Sequence, residues 1–209
     1  MPMKPLAELV RPAASAVLVV DVQNDYCRPD GALGKAGLPT ASAMAMLPNL
    51  QALLSAARAS GTAVIFIQTN HTPETDSESW TWRTAGVSGG VCRQGTWGAD
   101  FTEVAPLPDE PVVIKHRYSA FINTRLDSVL RTLKIESLIM TGVSTNVCVE
   151  STARHGYMLD YHVVFLSDCT AAYSPEEHDA ALANINNNFG VVTTSTEVIS
   201  AWNPALAPA

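Results

Sequence analysis

The chain is poor in the features that would mark it as secreted, metal-stapled or nucleic-acid-binding. It has only four cysteines, Cys27, Cys92, Cys148 and Cys169, with no Cys-x-x-Cys spacing and no regular framework, so neither a disulfide scaffold nor a cysteine zinc site is suggested. They read as free thiols. Lys/Arg-rich runs are absent and the net charge is −7, which argues against nucleic acid or an anionic membrane as a partner. No apolar run approaches the roughly 20 residues that span a bilayer. The opening MPMKPLAELVRP has no continuous apolar stretch or cleavage site of a secretory leader, so the expected location is cytoplasmic. There is no internal repeat and no low-complexity tract.

What is present is apolar. Nearly half of the 209 residues are hydrophobic, enough to bury a full core as a single domain over 1–209, with terminal arms at 1–13 and 203–209. Strand and helix patterns alternate. Apolar runs at 16–20, 63–67, 111–114, 137–141, 161–166 and 191–193 read as strands, and 42–60, 124–133 and 175–188 as helices. Gly61 ends the first helix and Pro175 opens the last. This alternation predicts an α/β fold: a doubly wound, mostly parallel, Rossmann-like three-layer sheet of about six strands with helices on both faces. Residues 68–109 form a long irregular connection carrying Trp80, Trp82, Trp97 and Phe101. A connection of that length in a compact domain is often functional.

Three strand ends carry chemistry. The run Ala16–Val20 leads into Asp21, and the run from Pro111 to Ile114 leads into Lys115. The run Ser137–Thr141 leads through Gly142 into STNVCVES, with Thr145 or Asn146 as helix N-cap and Cys148 in the first turn. Ends of parallel strands converge on one edge of the sheet, where ligands bind, so a carboxylate, an ammonium and a thiol are expected to meet there. Alone, Cys148 would be read as a core residue, because free cysteine packs as a small hydrophobe. At a helix N-terminus, unsatisfied N–H groups and the helix dipole favour its thiolate and can hold an oxyanion.

The pieces VLVVDVQNDY (17–26), VVIKHRYSAF (112–121) and GVSTNVCVES (142–151), in this order, resemble the isochorismatase-like cysteine hydrolases over residues 14–202. Within that family, KHRYSAFINTRLDSVLR and TNVCVEST are most similar to amidohydrolases of ureido compounds: ureidoacrylate, biuret and triuret. The resemblance implies a hydrolase of linear amide C–N bonds that needs no cofactor. In it Cys148 attacks a carbonyl carbon, Asp21 serves as general base and then acid, and Lys115 holds both and lowers their pKa values. It also implies a cis peptide at Val143–Ser144, an oxyanion hole from Cys148 N–H and a second donor in the 143–145 turn, and a homodimer or homotetramer. Water would resolve the thioester.

Tyr26, Asn70, Tyr118 and Phe121 follow the strand ends and are expected in the substrate pocket, with Trp80 and Trp82 closing a lid or forming an interface. Nicotinamidase-type members carry Asp-x-His-x-His after the second strand. This chain has Gln68-Thr69-Asn70-His71-Thr72 there, and one imidazole is a poor metal site, so no metal is expected and nicotinamide is disfavoured. His71 is expected at the pocket wall or in an exposed loop. His116 is read as structural, and His155, His162 and His178 receive no role. With no arginine of the matched motifs placed for a carboxylate, although Arg117 and Arg125 lie nearby, a neutral ureide is favoured. The competing readings are an N-carbamoyl amino acid amidohydrolase, isochorismate hydrolysis, which needs no thiol, and a binding protein without chemistry.

Overall fold

The computed structural model describes residues 4–84 and 90–203. Six strands form one all-parallel sheet: β1 Ser15–Val20, β2 Ala63–Thr69, β3 Val112–Lys115, β4 Ser137–Val143, β5 His162–Ala171 and β6 Val191–Thr193. Their order across the sheet is β3-β2-β1-β4-β5-β6. The winding reverses between β1 and β4, and such a reversal opens a crevice at the carboxyl ends of the two strands.

Alternation along β1 shows how the layers are built. Val17 and Val19 pack into a core with Leu50, Leu53 and Leu54 of the Leu47–Ser60 helix and Val198 of the Ser195–Trp202 helix. Ala16, Leu18 and Val20 face the other way, into a core with Leu126 and Leu130, Ala153, and Ile185 from the Leu126–Thr132, Glu150–Met158 and Pro175–Asn188 helices. A strand buried on both faces reads as a near-continuous apolar run; β1 is buried throughout, and its one polar residue, Ser15 at the start, donates its hydroxyl to Arg11 O at 2.9 Å.

Several expectations shift. The helix expected over 42–60 is two, Ala41–Ala45 and Leu47–Ser60. Pro48 lacks an amide hydrogen and its ring excludes a continuous turn, so it is accommodated at the start of the second. β5 runs past the expected Leu166 to Ala171. Its register against β4 jumps from Met140↔Phe165 to Gly142↔Thr170, a bulge that accommodates the polar Ser167 and Asp168. Asp168 accepts from Ser195 N at 2.8 Å and Ser195 Oγ at 2.6 Å, fixing the start of the unanticipated Ser195–Trp202 helix. The sequence signal for that helix is a capping box, Thr194 with Glu197. In the expected N-terminal arm, Leu9 and Val10 are buried and Val10 O accepts from Trp202 Nε1 at 2.6 Å. The expected arm beyond Asn203 lies outside the described residues. Among the described residues no helix is long and apolar enough to cross a membrane.

Candidate active site

At the crevice between β1 and β4, the backbone of β4 approaches that of β1 as closely as glycine permits. Gly142 pairs with Val20, has φ +110°, and a Cβ there would lie 2.0 Å from Val20 O. One residue further along each strand, Asp21 takes up a left-handed conformation, φ 53°, which short polar side chains tolerate. The Val143–Ser144 peptide is cis.

The Lys115 ammonium is the hub. Its Nζ lies 2.7 Å from Asp21 Oδ2, 2.8 Å from Thr69 Oγ1, 3.1 Å from Arg117 O and 3.4 Å from Cys148 Sγ. Four acceptors thus surround three N–H hydrogens, and the Asp21 contact is an ion pair by proximity rather than an aligned hydrogen bond. Both charged groups are buried, at 1% and 0% side-chain exposure. Burial by itself would pull the Lys115 pKa down, but Asp21 and Cys148 outweigh it and the net shift is upward. The ammonium therefore stays charged.

Thr69 and Gln23, which nothing in the sequence marks, complete the arrangement. Thr69 donates its hydroxyl hydrogen to Asp21 Oδ1 at 2.9 Å while accepting from Lys115. Gln23 clamps the end of β2: its Nε2 donates to Thr69 O at 2.8 Å and Ala99 O at 2.7 Å, and its Oε1 accepts from Thr69 N at 2.8 Å. Every polar atom of the Gln23 side chain is used, which fixes the Thr69 hydroxyl against the ion pair.

Cys148 sits in a π-helical turn, Thr145–Val149, that leads into the Glu150–Met158 helix. The residue before this turn is Ser144, whose side chain makes no cap, in place of the expected N-cap at Thr145 or Asn146. The wide turn is closed by Val149 N donating to Ser144 O at 3.2 Å. Among the described residues the N–H groups of Ser144, Thr145 and Asn146 donate to no backbone acceptor. The turn and the ammonium do not make Cys148 a thiolate at rest, in keeping with a mechanism in which Asp21 takes the thiol proton. Desolvation pushes the Cys148 thiol up to about 12; the Lys115 charge acts downward and Asp21 upward. Burial wins over the nearby ammonium, so the resting group is a thiol at neutral pH.

Cys148 opens onto a pocket of about 280 Å³. Tyr26, Tyr118, Tyr173 and Trp80 supply aromatic walls, and Asn146 and Ser144 add polar groups to the lining. Burial pushes the Tyr26 and Tyr173 phenols up, so both remain protonated donors. Asn146 Oδ1 is buried without a partner among the described residues.

Of the four residues expected in the pocket, Tyr26 and Tyr118 line it, whereas Asn70 and Phe121 do not. Asn70 lies beside Gln68, its Nδ2 at 3.5 Å from Gln68 Oε1. Phe121 packs against His155 and Tyr161, over the space left by Gly156. Trp80 lines the pocket and meets Tyr118 edge-on at 5.5 Å, while Trp82 is 78% exposed and turned away.

His71 is buried rather than exposed, stacked on Trp80 at 4.7 Å between ring centroids. Desolvation takes its pKa down to about 4. Among the described residues no three His, Cys, Asp or Glu side chains are grouped to hold a metal ion. His116 bonds to Asn70 O.

The charge lining the pocket comes from outside the matched motifs. Arg117 is turned to Thr75 O and His116 O, and Arg125 to Val112 O, so neither serves the pocket. Arg83 and Glu177 line it instead. Arg83 ends the Glu78–Arg83 helix, whose N-cap is Ser77, a short helix inside the connection expected to be irregular.

The isochorismatase domain model matches residues 15–197, nearly the whole described chain. Ureidoacrylate amidohydrolase RutB of Pseudomonas syringae pv. syringae (strain B728a) is 36% identical over 224 aligned positions, covering 100% of this chain and 91% of that protein. The RutB of Serratia proteamaculans (strain 568) is 37% identical, covering 100% and 89% respectively. Among solved structures, a cysteine hydrolase from Pseudomonas syringae pv. phaseolicola 1448A superposes with a TM-score of 0.85 at 33% identity, covering 93% of this chain and 94% of that one. A sheet reversed at β1/β4, a buried carboxylate, ammonium and thiol at that reversal, and matches spanning the full chain converge on one conclusion: the protein belongs to the isochorismatase-like hydrolase family.

Proposed function

We propose that the protein is a cysteine-dependent amidohydrolase that cleaves a C–N bond of a small ureide, of the ureidoacrylate, biuret or triuret type. The observation that carries this reading is the buried contact of Lys115 Nζ with both Asp21 Oδ2 and Cys148 Sγ. A carboxylate and a thiol that share one buried ammonium, with the thiol opening onto a pocket, support this reading. The names of the RutB relatives support the substrate class.

The proposed steps use these contacts as follows. The resting thiol must lose its proton as it attacks, and the carboxylate of Asp21 receives it. Cys148 Sγ bonds to the carbonyl carbon, and the developing oxyanion is met by backbone N–H groups of Cys148 and the 144–146 turn. Asp21 then passes its proton to the leaving nitrogen as the C–N bond breaks, giving a thioester. Water, deprotonated by Asp21, hydrolyses the thioester and the proton returns to the thiolate: where the substituted amine is the leaving group the S-carbamoyl enzyme yields carbamate, which decomposes to ammonia and carbon dioxide, and where ammonia itself is the leaving group the product is the N-substituted carbamic acid. Lys115 holds the Asp21 carboxylate in place and stabilises the thiolate that forms. Tyr26, Tyr118, Trp80 and Asn146 are proposed to hold the flat ureide against the thiol.

Ammonia release from biuret, triuret, ureidoacrylate, N-carbamoylsarcosine and nicotinamide, with the wild type beside Cys148→Ala, tests this. Turnover of a ureide that disappears in the variant is expected. Turnover that persists in Cys148→Ala, or that occurs with nicotinamide alone, overturns it.

A further inference from the structure

His178 lies on the Pro175–Asn188 helix and does not line the pocket that holds Cys148, yet its Nδ1 is 2.9 Å from Thr145 Oγ1. Thr145 is fully buried and opens the π-helical turn that follows the cis bond and carries Cys148. The helix is a rigid support: Ala181 and Ile185 anchor it in the core, and Ser174 caps it by accepting from Glu177 N at 3.2 Å. The His178 ring is thus held by one element and grips a side chain of another.

We propose that His178 is a positioning residue for the reaction, acting through the Thr145 hydroxyl to fix the direction in which the N–H groups of the 144–146 turn face the substrate's carbonyl oxygen. Oxyanion donors are effective only when they are aligned before charge develops, and a small displacement of a reacting group is costly in rate. The ring is suited to the task because it stays neutral. Desolvation lowers its pKa, against smaller upward effects of Asp179 and a hydrogen bond to the Ser167 backbone. A neutral imidazole can either accept from or donate to a hydroxyl, so it pairs with Thr145 without placing a charge behind the turn. The inference rests on the reading of Cys148 as nucleophile.

The test uses Thr145→Val, His178→Phe, their combination, and Thr145→Ser, assayed on a ureide that the wild type hydrolyses. Each of the first two variants is expected to lower kcat about 10- to 100-fold, part of the loss seen on deleting an oxyanion donor outright, with KM changed less than about twofold. The combined variant should fall no further than the worse single one, because both break one link. Thr145→Ser, which keeps the hydroxyl, should retain most of the activity. Alkylation of Cys148 by iodoacetamide should proceed at the wild-type rate in all four, since displacement of iodide develops no oxyanion. Additive losses, a rise in KM at unchanged kcat, or alkylation slowed in step with kcat would each overturn the inference. Hydrolysis that survives in Cys148→Ala would instead break the nucleophile reading on which it stands.

Discussion

Replacing Lys115 with methionine tests the electrostatics of the site in a way that activity alone does not. At 2.7 Å and an effective dielectric of about 20, the Lys115–Asp21 attraction amounts to about 6 kcal/mol. Desolvating two ions offsets much of that, so the pair as a whole contributes little to stability. Removing one partner is another matter. Lys115→Met leaves the fully buried Asp21 carboxylate with the Thr69 hydroxyl at 2.9 Å, and stranding a buried charge costs about 3–5 kcal/mol. The variant also loses the charge that stabilises a thiolate at Cys148, so it should be inactive. Asp21→Asn combined with Lys115→Met removes both charges and should recover about half of the lost stability while remaining inactive. Urea unfolding followed by tryptophan fluorescence, beside ammonia release, measures both effects. A single variant within about 1 kcal/mol of wild type, or a double variant no more stable than the single, would refute the reasoning.

Three further outcomes are expected. Inactivation by iodoacetamide should keep rising with pH without a plateau below pH 10, because the Cys148 thiol, pushed up to about 12 by burial, is protonated at rest; a thiolate plateau near neutrality would contradict this. The unfolded His71 imidazole gains its proton near pH 6.5 and the folded one only near pH 4, so acid favours unfolding. The contribution is complete above pH 6.5 and is lost toward pH 4 by at most about 3 kcal/mol; His71→Phe, which still stacks on Trp80, should flatten the stability profile between those values. Arg83→Gln should lower kcat/KM for a carboxylate-bearing ureide about tenfold and leave biuret unchanged; an equal effect on both would mean that Arg83 does not read the charge.

The sheet and the reactive edge were legible because their signals are local. β1, β3 and β4 are short apolar runs, each reaching its chemical residue within five positions of the run's end or, for Cys148, across one turn. Legibility failed where a residue's role depends on a distant partner. Gln23 is bonded to Ala99, 76 positions away, and nothing in the neighbourhood of either residue announces it. Thr69 looks like any strand threonine until the fold brings Asp21 and Lys115 to its hydroxyl. The polar Ser167 and Asp168 concealed the continuation of β5, because a bulge with its own partners breaks the apolar pattern. Phe121 follows a strand end as Tyr118 does, yet the chain turns it onto Gly156 and away from the pocket. The size of the burial effect on the thiol was not legible either: position in a turn favours a thiolate, whereas desolvation outweighs one nearby ammonium.

The account rests on covalent attack by Cys148, and intact-protein mass spectrometry of enzyme quenched in acid during turnover of a ureide tests it most directly. A mass increase equal to the acyl part of the substrate, mapped by peptide analysis to Cys148 and absent in Cys148→Ala, is the result predicted. Turnover under the same conditions with unmodified enzyme at every quench time, and with activity surviving in Cys148→Ala, would contradict it.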